Sequence, residues 1–455
     1  MRLRAVAVAL GVMVCASLAA ALSYQGEREL GQQFDLAARQ QAPIIDDPEV
    51  IAYVNGVGRR IAATLDRSYF DYQFTVIRDP RINAFAVPGG YVYVHSGLIT
   101  ALQNDDELAA VLGHEIGHVH AHHIVRQQEK TRVLNYTALL GMLLSVVQPA
   151  VGSLATAASQ AAALQYTREF EQEADYLGAR YMQTAGYDPR AMLDFFKLLG
   201  DQQRVSPASA PPYLQTHPMS DERLDRLEAV LKTPQWAPRQ HAPASLALRR
   251  VQALVRARSE PPADVLTAYR RARDAHPDDP VAQYLYGVVC LETGQLDDAR
   301  VALTTAQSGG VEGVDRDLGR LALRQRELPE ARALLSAHLI KRPDDVGAQV
   351  DLALAYEALG DTDAAEAAYR RALVAAPWFE PAHRGFGQLA GRAGRAGDGF
   401  YHLATAARLT GDYPTALNQY SRAAAQLPAA DPRRGDAQRW VEILSAFLKV
   451  PTPSG

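Results

Sequence analysis

The sequence predicts two domains: a mostly helical α+β domain with a small sheet, and an all-α superhelix of repeated helix pairs behind it. Three observations support this division. A histidine pair lies in a helical pattern near residue 115, a hairpin-like pattern precedes it, and a repeat of about 34 residues fills the C-terminal part. At 455 residues, two domains that each enclose a core are expected.

The N-terminus predicts a cleavable signal peptide. Arg2 and Arg4 precede an apolar run, and small residues follow at positions 19–21. We expect residues 1–21 to be removed on export; an uncleaved membrane anchor is the alternative. Removal would leave Cys290 as the one cysteine, so no disulfide could form within the chain. Export without a disulfide fits the bacterial periplasm.

Composition is that of an ordinary globular protein. Hydrophobic residues make up 48% and charged residues 22% of the chain, close to the usual averages. The 47 basic and 51 acidic residues give a net charge of −4. No basic patch indicates nucleic-acid binding, so we expect no nucleic-acid partner.

The five residues His114-Glu115-Ile116-Gly117-His118 are the strongest indication of function. Two histidines four apart on a helix project from one face, where two neutral imidazoles can take two corners of a zinc tetrahedron. Glu115 then lies within reach of a water molecule at the metal and can serve as its general base. Acidic residues at 105–107 and apolar residues after them predict that the motif lies within a helix.

A catalytic zinc site needs a third protein ligand, and an acidic run supplies candidates. Glu171 and Asp175 are four apart on one helix face, so one can bind zinc while the other accepts the outer N–H of a ligating histidine. Glu169 and Glu173 have the same spacing, so geometry alone does not choose the ligand. A solvated helix surface is the alternative.

Residues 82–99 predict a hairpin. Asn83 and Phe85 belong to an alternating stretch, Pro88-Gly89-Gly90 signals a turn, and residues 91–94 return as a strand. An edge strand beside a zinc site can hold an extended peptide by main-chain hydrogen bonds. Asn83, Phe85, Gly89 and Gly90 are therefore candidate substrate-binding residues, and an ordinary core hairpin is the alternative.

Three further histidines, His120, His122 and His123, follow the motif. His118 and His122 also have ligand spacing, but Val119 stands where the general base would be. We interpret the three as helix-surface groups or as groups that support the ligands from behind.

Together these motifs resemble the HtpX/CAAX-prenyl-protease type of zinc peptidase. The resemblance rests on His114-Glu115-x-x-His118, Glu171-x-x-x-Asp175, Thr216-His217-Pro218 with Glu222-Arg223, and Asn83-Ala84-Phe85-Ala86 with Pro88-Gly89-Gly90. It implies a gluzincin-type fold and one zinc ion per chain, held by His114, His118 and Glu171. It also makes Asp175 the hydrogen-bond partner of a ligating histidine, His114 being the expected one.

Two residues of the later motif have open roles. His217 can stabilise the oxyanion that forms when the scissile carbonyl is attacked. It can equally occupy the fourth zinc position in a resting state, or be a loop histidine packed before Pro218. Arg223 can pair with an acid near the site or lie exposed on a helix.

Residues 133–165 carry no charged side chain and are densely apolar. Three interpretations stay open. The segment can be a buried or groove-lining helix pair beside the site. It can be a lid that exposes apolar surface to substrate or makes peripheral contact with a membrane. It can be a membrane span, which needs about 20 such residues.

The C-terminal part of the chain repeats itself. The sequence AYRRA at 268–272 reappears 100 residues later at 368–372, and Gly294 recurs 66 residues later at Gly360. A period near 34 residues with helix–turn–helix spacing is the tetratricopeptide signature. We expect about four full or degenerate units, with an irregular stretch around 378–405. Such arrays bind proteins or peptides, although a purely structural array that packs on the protease is the alternative.

The sequence therefore predicts a periplasmic zinc endopeptidase with a repeat domain that recruits substrates or partners. The predicted order is a signal peptide (1–21), a zinc peptidase domain (22–235), a linker (236–244) and a tetratricopeptide-repeat domain (245–450). With its repeats, the chain resembles the BepA-like periplasmic peptidases. This implies unfolded or misassembled outer-membrane proteins as substrates and the outer-membrane protein assembly machinery as a partner. A non-enzymatic chaperone or scaffold with a structural zinc is the main alternative, and a membrane-embedded peptidase is a third.

Overall fold

A computed structural model describes residues 23–131, 140, 165–205, 211–236 and 243–449. The predicted signal peptide, most of the linker and almost all of the apolar segment 133–165 lie outside these ranges. The chain divides into two compact units, Met1–Ile44 with Val54–Ala244 and Ile45–Tyr53 with Ser245–Gly455. The sequence did not indicate that Ile45–Tyr53 groups with the C-terminal unit. Among the helices in the described ranges, none is both long enough and apolar enough to cross a membrane.

The N-terminal half has the predicted α+β composition. Its helices are α1 (Tyr24–Gln41), α2 (Pro48–Ala62), α3 (Ser96–Ala101), α4 (Asp105–His120), α5 (His123–Thr131), α6 (Arg168–Thr184), α7 (Ala191–Val205), α8 (Pro212–Thr216) and α9 (Asp221–Leu231). Its strands are β1 (Gln73–Ile77), β2 (Ala84–Val87) and β3 (Tyr91–His95).

The three strands form one small sheet in the order β1-β3-β2. β1 runs parallel to β3, and β2 pairs antiparallel with β3 through the predicted hairpin, with Phe85 opposite Tyr93. Gly89 and Gly90 have φ angles of +86° and +93°, which glycine adopts without strain. Within the described residues β2 pairs with β3 alone, so its other side is a sheet edge.

The core of this unit lies between α1 and the sheet. Leu30, Phe34, Val87 and Tyr93 are fully buried there, together with Phe85. The rings of Phe34 and Tyr93 meet edge to face at 5.2 Å. Burial of each such side chain contributes roughly 1.5–3 kcal/mol to stability. This packing holds the sheet, including the hairpin of β2 and β3, against α1.

The C-terminal unit is all-α, as predicted. It contains α10 (Leu246–Ser259), α11 (Pro262–Ala275), α12 (Pro280–Thr293), α13 (Leu296–Ser308), α14 (Val314–Arg324), α15 (Leu328–Lys341), α16 (Val346–Leu359), α17 (Thr362–Ala375), α18 (Glu380–Arg392), α19 (Ala396–Leu409), α20 (Tyr413–Gln426) and α21 (Pro432–Lys449). Small buried residues such as Ala353, Ala365 and Ala368 let paired helices approach, and Tyr369 fills the remaining space.

The expectation of about four units with an irregular stretch is wrong, because residues 243–449 form six helix pairs. The stretch around 378–405 forms the regular pair α18 and α19. Its turn glycine, Gly394 (φ +76°), follows Gly360 (φ +82°) by one period of 34 residues. The glycine-rich sequence of this unit obscured the repeat. Its glycines have the same packing role as in other units, because a Cβ on Gly387 would lie 2.9 Å from Leu403, and one on Gly287 would lie 2.9 Å from Leu303.

Candidate metal centre

Helices α4 and α6 cross at glycines, and this crossing brings the two predicted halves of the site together. A Cβ on Gly178 of α6 would lie 2.9 Å from the backbone of Gly113 and of His114, and one on Gly117 of α4 would lie 2.9 Å from the Ala174 carbonyl oxygen. Only glycine permits such close backbone approach. The second variable position of the His-Glu-x-x-His motif therefore has a packing role.

The start of α4 is fixed by a reciprocal cap. The Asn104 side chain accepts a hydrogen bond from the Glu107 N–H at 3.0 Å, and the Glu107 carboxylate accepts one from the Gln103 N–H at 2.7 Å. Two otherwise unpaired groups at the helix terminus are thereby satisfied. The cap sets the position of the helix that carries His114 and His118.

Four side chains converge at one point: His114, His118, Glu171 and His217, all buried, with one donor atom of each within 4.8 Å of the others. His114 Nε2 lies 2.9 Å from His118 Nε2 and 3.3 Å from His217 Nδ1. Glu171 Oε1 lies 3.4 Å from His118 Nε2 and 2.9 Å from His217 Nδ1.

These separations fit a tetrahedral zinc ion. Zinc–nitrogen bonds of about 2.0–2.1 Å place neighbouring donors of a tetrahedron about 3.3 Å apart. Three imidazoles and one carboxylate are ligands that zinc accepts. Without a cation, four donor atoms this close in a buried place would leave lone pairs facing one another, so the donor set itself indicates a metal.

The outer atoms of the donors are held by further hydrogen bonds. His114 Nδ1 lies 2.9 Å from Asp175 Oδ1, the arrangement that fixes a ligating imidazole in one tautomer. Arg223 donates two hydrogen bonds of 2.7 Å to Asp175 and lies 2.5 Å from Glu171 Oε2. Arg223 is only 4% exposed, so it is a buried counter-charge and not a surface arginine.

Glu115 is fully buried beside the donor cluster. Neither of its carboxylate oxygens makes a hydrogen bond within the described part of the chain, and His217 Nε2 lies 3.4 Å from Oε1. Burial raises the pKa of Glu115 above its usual value, against the opposing effect of His217 and His114. A buried carboxyl group whose pKa is raised is a better proton acceptor than an ordinary carboxylate.

Glu171 differs from Glu115 in its charge. Burial alone would raise its pKa, but His217 and Arg223 outweigh burial and hold the pKa of Glu171 well below its usual value. Two neighbouring carboxyl groups are thus divided into a permanent anion, suited to a cation, and a proton acceptor.

His217 lies in the loop between α8 and α9 and is part of the donor cluster. Its ring stacks on Tyr213 at 4.5 Å, and its N–H to the Tyr213 carbonyl oxygen closes the last turn of α8. Nδ1 faces the donor cluster while Nε2 faces Glu115. The structure therefore places His217 where a fourth ligand would lie.

The four predicted substrate-binding residues all belong to the hairpin and its immediate approach. Phe85 stacks on Tyr93 in the core, Asn83 is buried, and a Cβ on Gly89 would meet the Glu27 carbonyl oxygen at 2.9 Å. Their side chains thus shape the hairpin. The backbone of Ala86 in β2 is close enough to Glu115 to lower the pKa of that carboxyl group.

Two further residues lie beside the site: Tyr166, which was not predicted there, and His123, for which a place behind the ligands was one of two open interpretations. The ring of Tyr166 lies 3.9 Å from that of His118, and its N–H donates to the Thr216 carbonyl oxygen, which ties the α6 segment to the loop of His217. His123 Nδ1 lies 2.9 Å from His118 Nδ1. No sequence signal marks Tyr166, whereas His123 belongs to the histidine-rich stretch after the motif.

The fold and the donor cluster together define a metallopeptidase-type site with a His-Glu-x-x-His helix and a glutamate ligand. Residues 48–231 match the profile of peptidase family M48, and residues 248–307 and 316–378 match the tetratricopeptide repeat profile. The chain therefore carries a domain of peptidase family M48 followed by tetratricopeptide repeats.

Curated proteins are similar to this chain in sequence. The chain is 34% identical to the putative beta-barrel assembly-enhancing protease of Vibrio cholerae, over 62% of this chain and 60% of that protein. It is 37% identical to the beta-barrel assembly-enhancing protease of Yersinia pestis, over 46% and 44%. It is 30% identical to the mitochondrial metalloendopeptidase OMA1 of Arabidopsis thaliana, over 42% and 38%. The matches thus span between about two fifths and three fifths of these relatives.

Proposed function

We propose that the chain is a zinc-dependent endopeptidase of the bacterial periplasm that degrades misfolded or stalled outer-membrane proteins and assists their assembly. The observation that carries the proposal is the convergence of His114, His118 and Glu171 at zinc-like separations, with the buried carboxylate of Glu115 beside them. The names of the Vibrio and Yersinia relatives support the substrate class. The signal-like residues 1–21 support the compartment.

Different residues of the chain bind the metal, transfer the proton and position the ligands during hydrolysis. A zinc ion, when bound by His114, His118 and Glu171, supplies a Lewis acid that polarises the scissile carbonyl and activates water. Glu115 accepts the proton of the attacking water and passes it to the leaving amine. Asp175 and Arg223 hold His114 and Glu171 in place from behind.

His217 gives the site two states. With its Nδ1 in the donor cluster, His217 would be a fourth protein ligand to zinc, as in zinc sites that do no chemistry. Withdrawal of His217 would make room for water and substrate, and its imidazole could then stabilise the developing oxyanion. We therefore propose that the conformation described is a resting state of the enzyme.

The same closed donor set also favours a second candidate function, a chaperone or scaffold with a structural zinc. In a scaffold Glu115 would have no role, and a buried carboxylate without a hydrogen-bond partner lowers the stability of the fold. Its presence at 0% exposure favours the peptidase.

The repeat domain is proposed to recruit protein partners, including the outer-membrane protein assembly machinery. Superhelical arrays of helix pairs present extended surfaces for this purpose. The edge of β2 is proposed to hold the substrate main chain, which favours unfolded over folded substrates.

The deciding experiment compares casein digestion by the zinc-loaded wild type with that by Glu115→Gln. Loss of a general base is expected to lower turnover by about 10²–10⁴-fold, with zinc content unchanged. Glu228→Gln, which removes an exposed acid on α9 paired with Lys232, is the matched control and should leave turnover unchanged. Equal digestion by wild type and Glu115→Gln would favour the scaffold.

A further inference from the structure

The outer nitrogen of His118 faces a second imidazole, whereas that of His114 faces a carboxylate. His118 Nδ1 lies 2.9 Å from His123 Nδ1, and His123 Nε2 lies 3.2 Å from Glu173 Oε2. Glu173 also accepts a hydrogen bond of 2.9 Å from Arg126. The chain of contacts runs from a buried metal donor to a half-exposed carboxylate.

The protonation pattern of this chain is fixed once His118 binds zinc through Nε2. Its Nδ1 must then carry the hydrogen and donate it. His123 Nδ1 accepts that bond, so the hydrogen of the neutral His123 ring is on Nε2, which donates to Glu173. Every contact thus has one donor and one acceptor, with no conflict along the chain.

The backbone is strained where it brings His123 to His118. Two residues five apart on a continuous helix point about 140° away from each other. Here α4 ends at His120, and His122 adopts φ +54° before α5 begins, a conformation uncommon for residues other than glycine. The break turns His123 back towards His118, and its ring stacks on Phe170 at 4.5 Å.

We infer that His123 is a positioning residue for the metal centre, which transmits the charge of Glu173 to His118 through its imidazole. The inference rests on the proposed function, since it assumes zinc at the donor cluster. Each ligating histidine then has its own acid on α6: His114 uses Asp175 directly, and His118 uses Glu173 through His123. Glu173, which the sequence left open as a possible metal ligand, is instead the hydrogen-bond partner of His123.

The test measures zinc affinity by competition with a chromophoric chelator, using three variants of the full chain. His123→Leu removes both contacts and is expected to weaken zinc binding by about 10–100-fold. His123→Asn keeps an acceptor near the position of Nδ1 but loses the link to Glu173, so it should recover only part of the affinity and bind zinc about as tightly as Glu173→Leu. Glu173→Leu, at an exposed position where folding is not at risk, should weaken binding by a smaller factor and accelerate zinc release.

His120→Leu is the matched control, because His120 lies on α4 and meets Tyr181 instead of a metal donor; its zinc affinity should equal that of the wild type. The inference is overturned if all three variants bind zinc within about twofold of wild type, or if His120→Leu weakens binding as much as His123→Leu. The assay needs no peptidase activity. If the affinities follow the series while casein stays intact, the proposed function fails and the inference stands.

Discussion

Replacing Arg223 by methionine removes the buried cation that holds two site carboxylates. The side chain of Arg223 is 4% exposed, donates two hydrogen bonds to Asp175 and lies 2.5 Å from Glu171. Methionine fills a similar volume but leaves both carboxylates buried without that partner. Breaking a buried ion pair in this way costs about 3–5 kcal/mol.

The loss should depend on the metal, because zinc supplies positive charge to Glu171. We therefore expect Arg223→Met to destabilise the zinc-free protein by about 3–5 kcal/mol and the zinc-loaded protein by less. For a unit of this size, that corresponds to a decrease in Tm of about 6–20 °C. Urea unfolding followed by circular dichroism measures the free energy of unfolding with and without zinc, and thermal unfolding measures the decrease in Tm.

Arg226→Met is the control for this experiment. Arg226 is exposed on the same helix, α9, where substitutions usually change stability by less than about 0.5 kcal/mol. If zinc-free Arg223→Met unfolds within about 1 kcal/mol of wild type, or no earlier than Arg226→Met, the buried pair does not hold the site as described.

Three further predictions concern His217 and the repeat domain. His217→Ala should raise cleavage of small peptides by opening the fourth position; an inactive variant with full zinc content would assign His217 to catalysis instead. Arg250→Leu should destabilise the repeat domain by about 3 kcal/mol in urea unfolding, because the fully buried Asp317 carboxylate loses two hydrogen bonds of 2.7 and 2.9 Å; unchanged unfolding would contradict this. Burial lowers the pKa of His383 from 6.5 to about 4. The unfolded chain therefore takes up a proton at higher pH than the folded chain, and stability that is present above pH 6.5 is lost as the pH falls towards 4. The loss due to His383 should be about 2 kcal/mol at pH 5, and His383→Gln should reduce this pH dependence.

Local patterns in the sequence predicted those parts of the fold that depend on neighbouring residues. The motif helix follows from the spacing of His114 and His118, and the hairpin follows from alternation around Gly89 and Gly90. Spacing alone could not choose Glu171 over Glu173, because both lie on α6 and only the crossing angle with α4 decides which one faces the histidines. The family resemblance supplied that choice.

Long-range packing decided what the sequence could not show. The position of Tyr166 against His118 depends on how the α6 segment meets the loop of His217, far away in the chain. His123 reaches His118 only because the helix breaks at His122. Alternation around Phe85 predicts a strand, but only packing against α1 shows that its ring lies in the core with Phe34 and Tyr93.

Metal analysis of the purified full chain tests the central claim most directly. The account predicts one zinc ion per chain in wild type and in Glu115→Gln, and little zinc in a variant that combines His118→Ala with Glu171→Gln, while circular dichroism shows all three to be folded. A wild-type protein that binds no zinc, or a double variant that retains as much zinc as wild type, would contradict it.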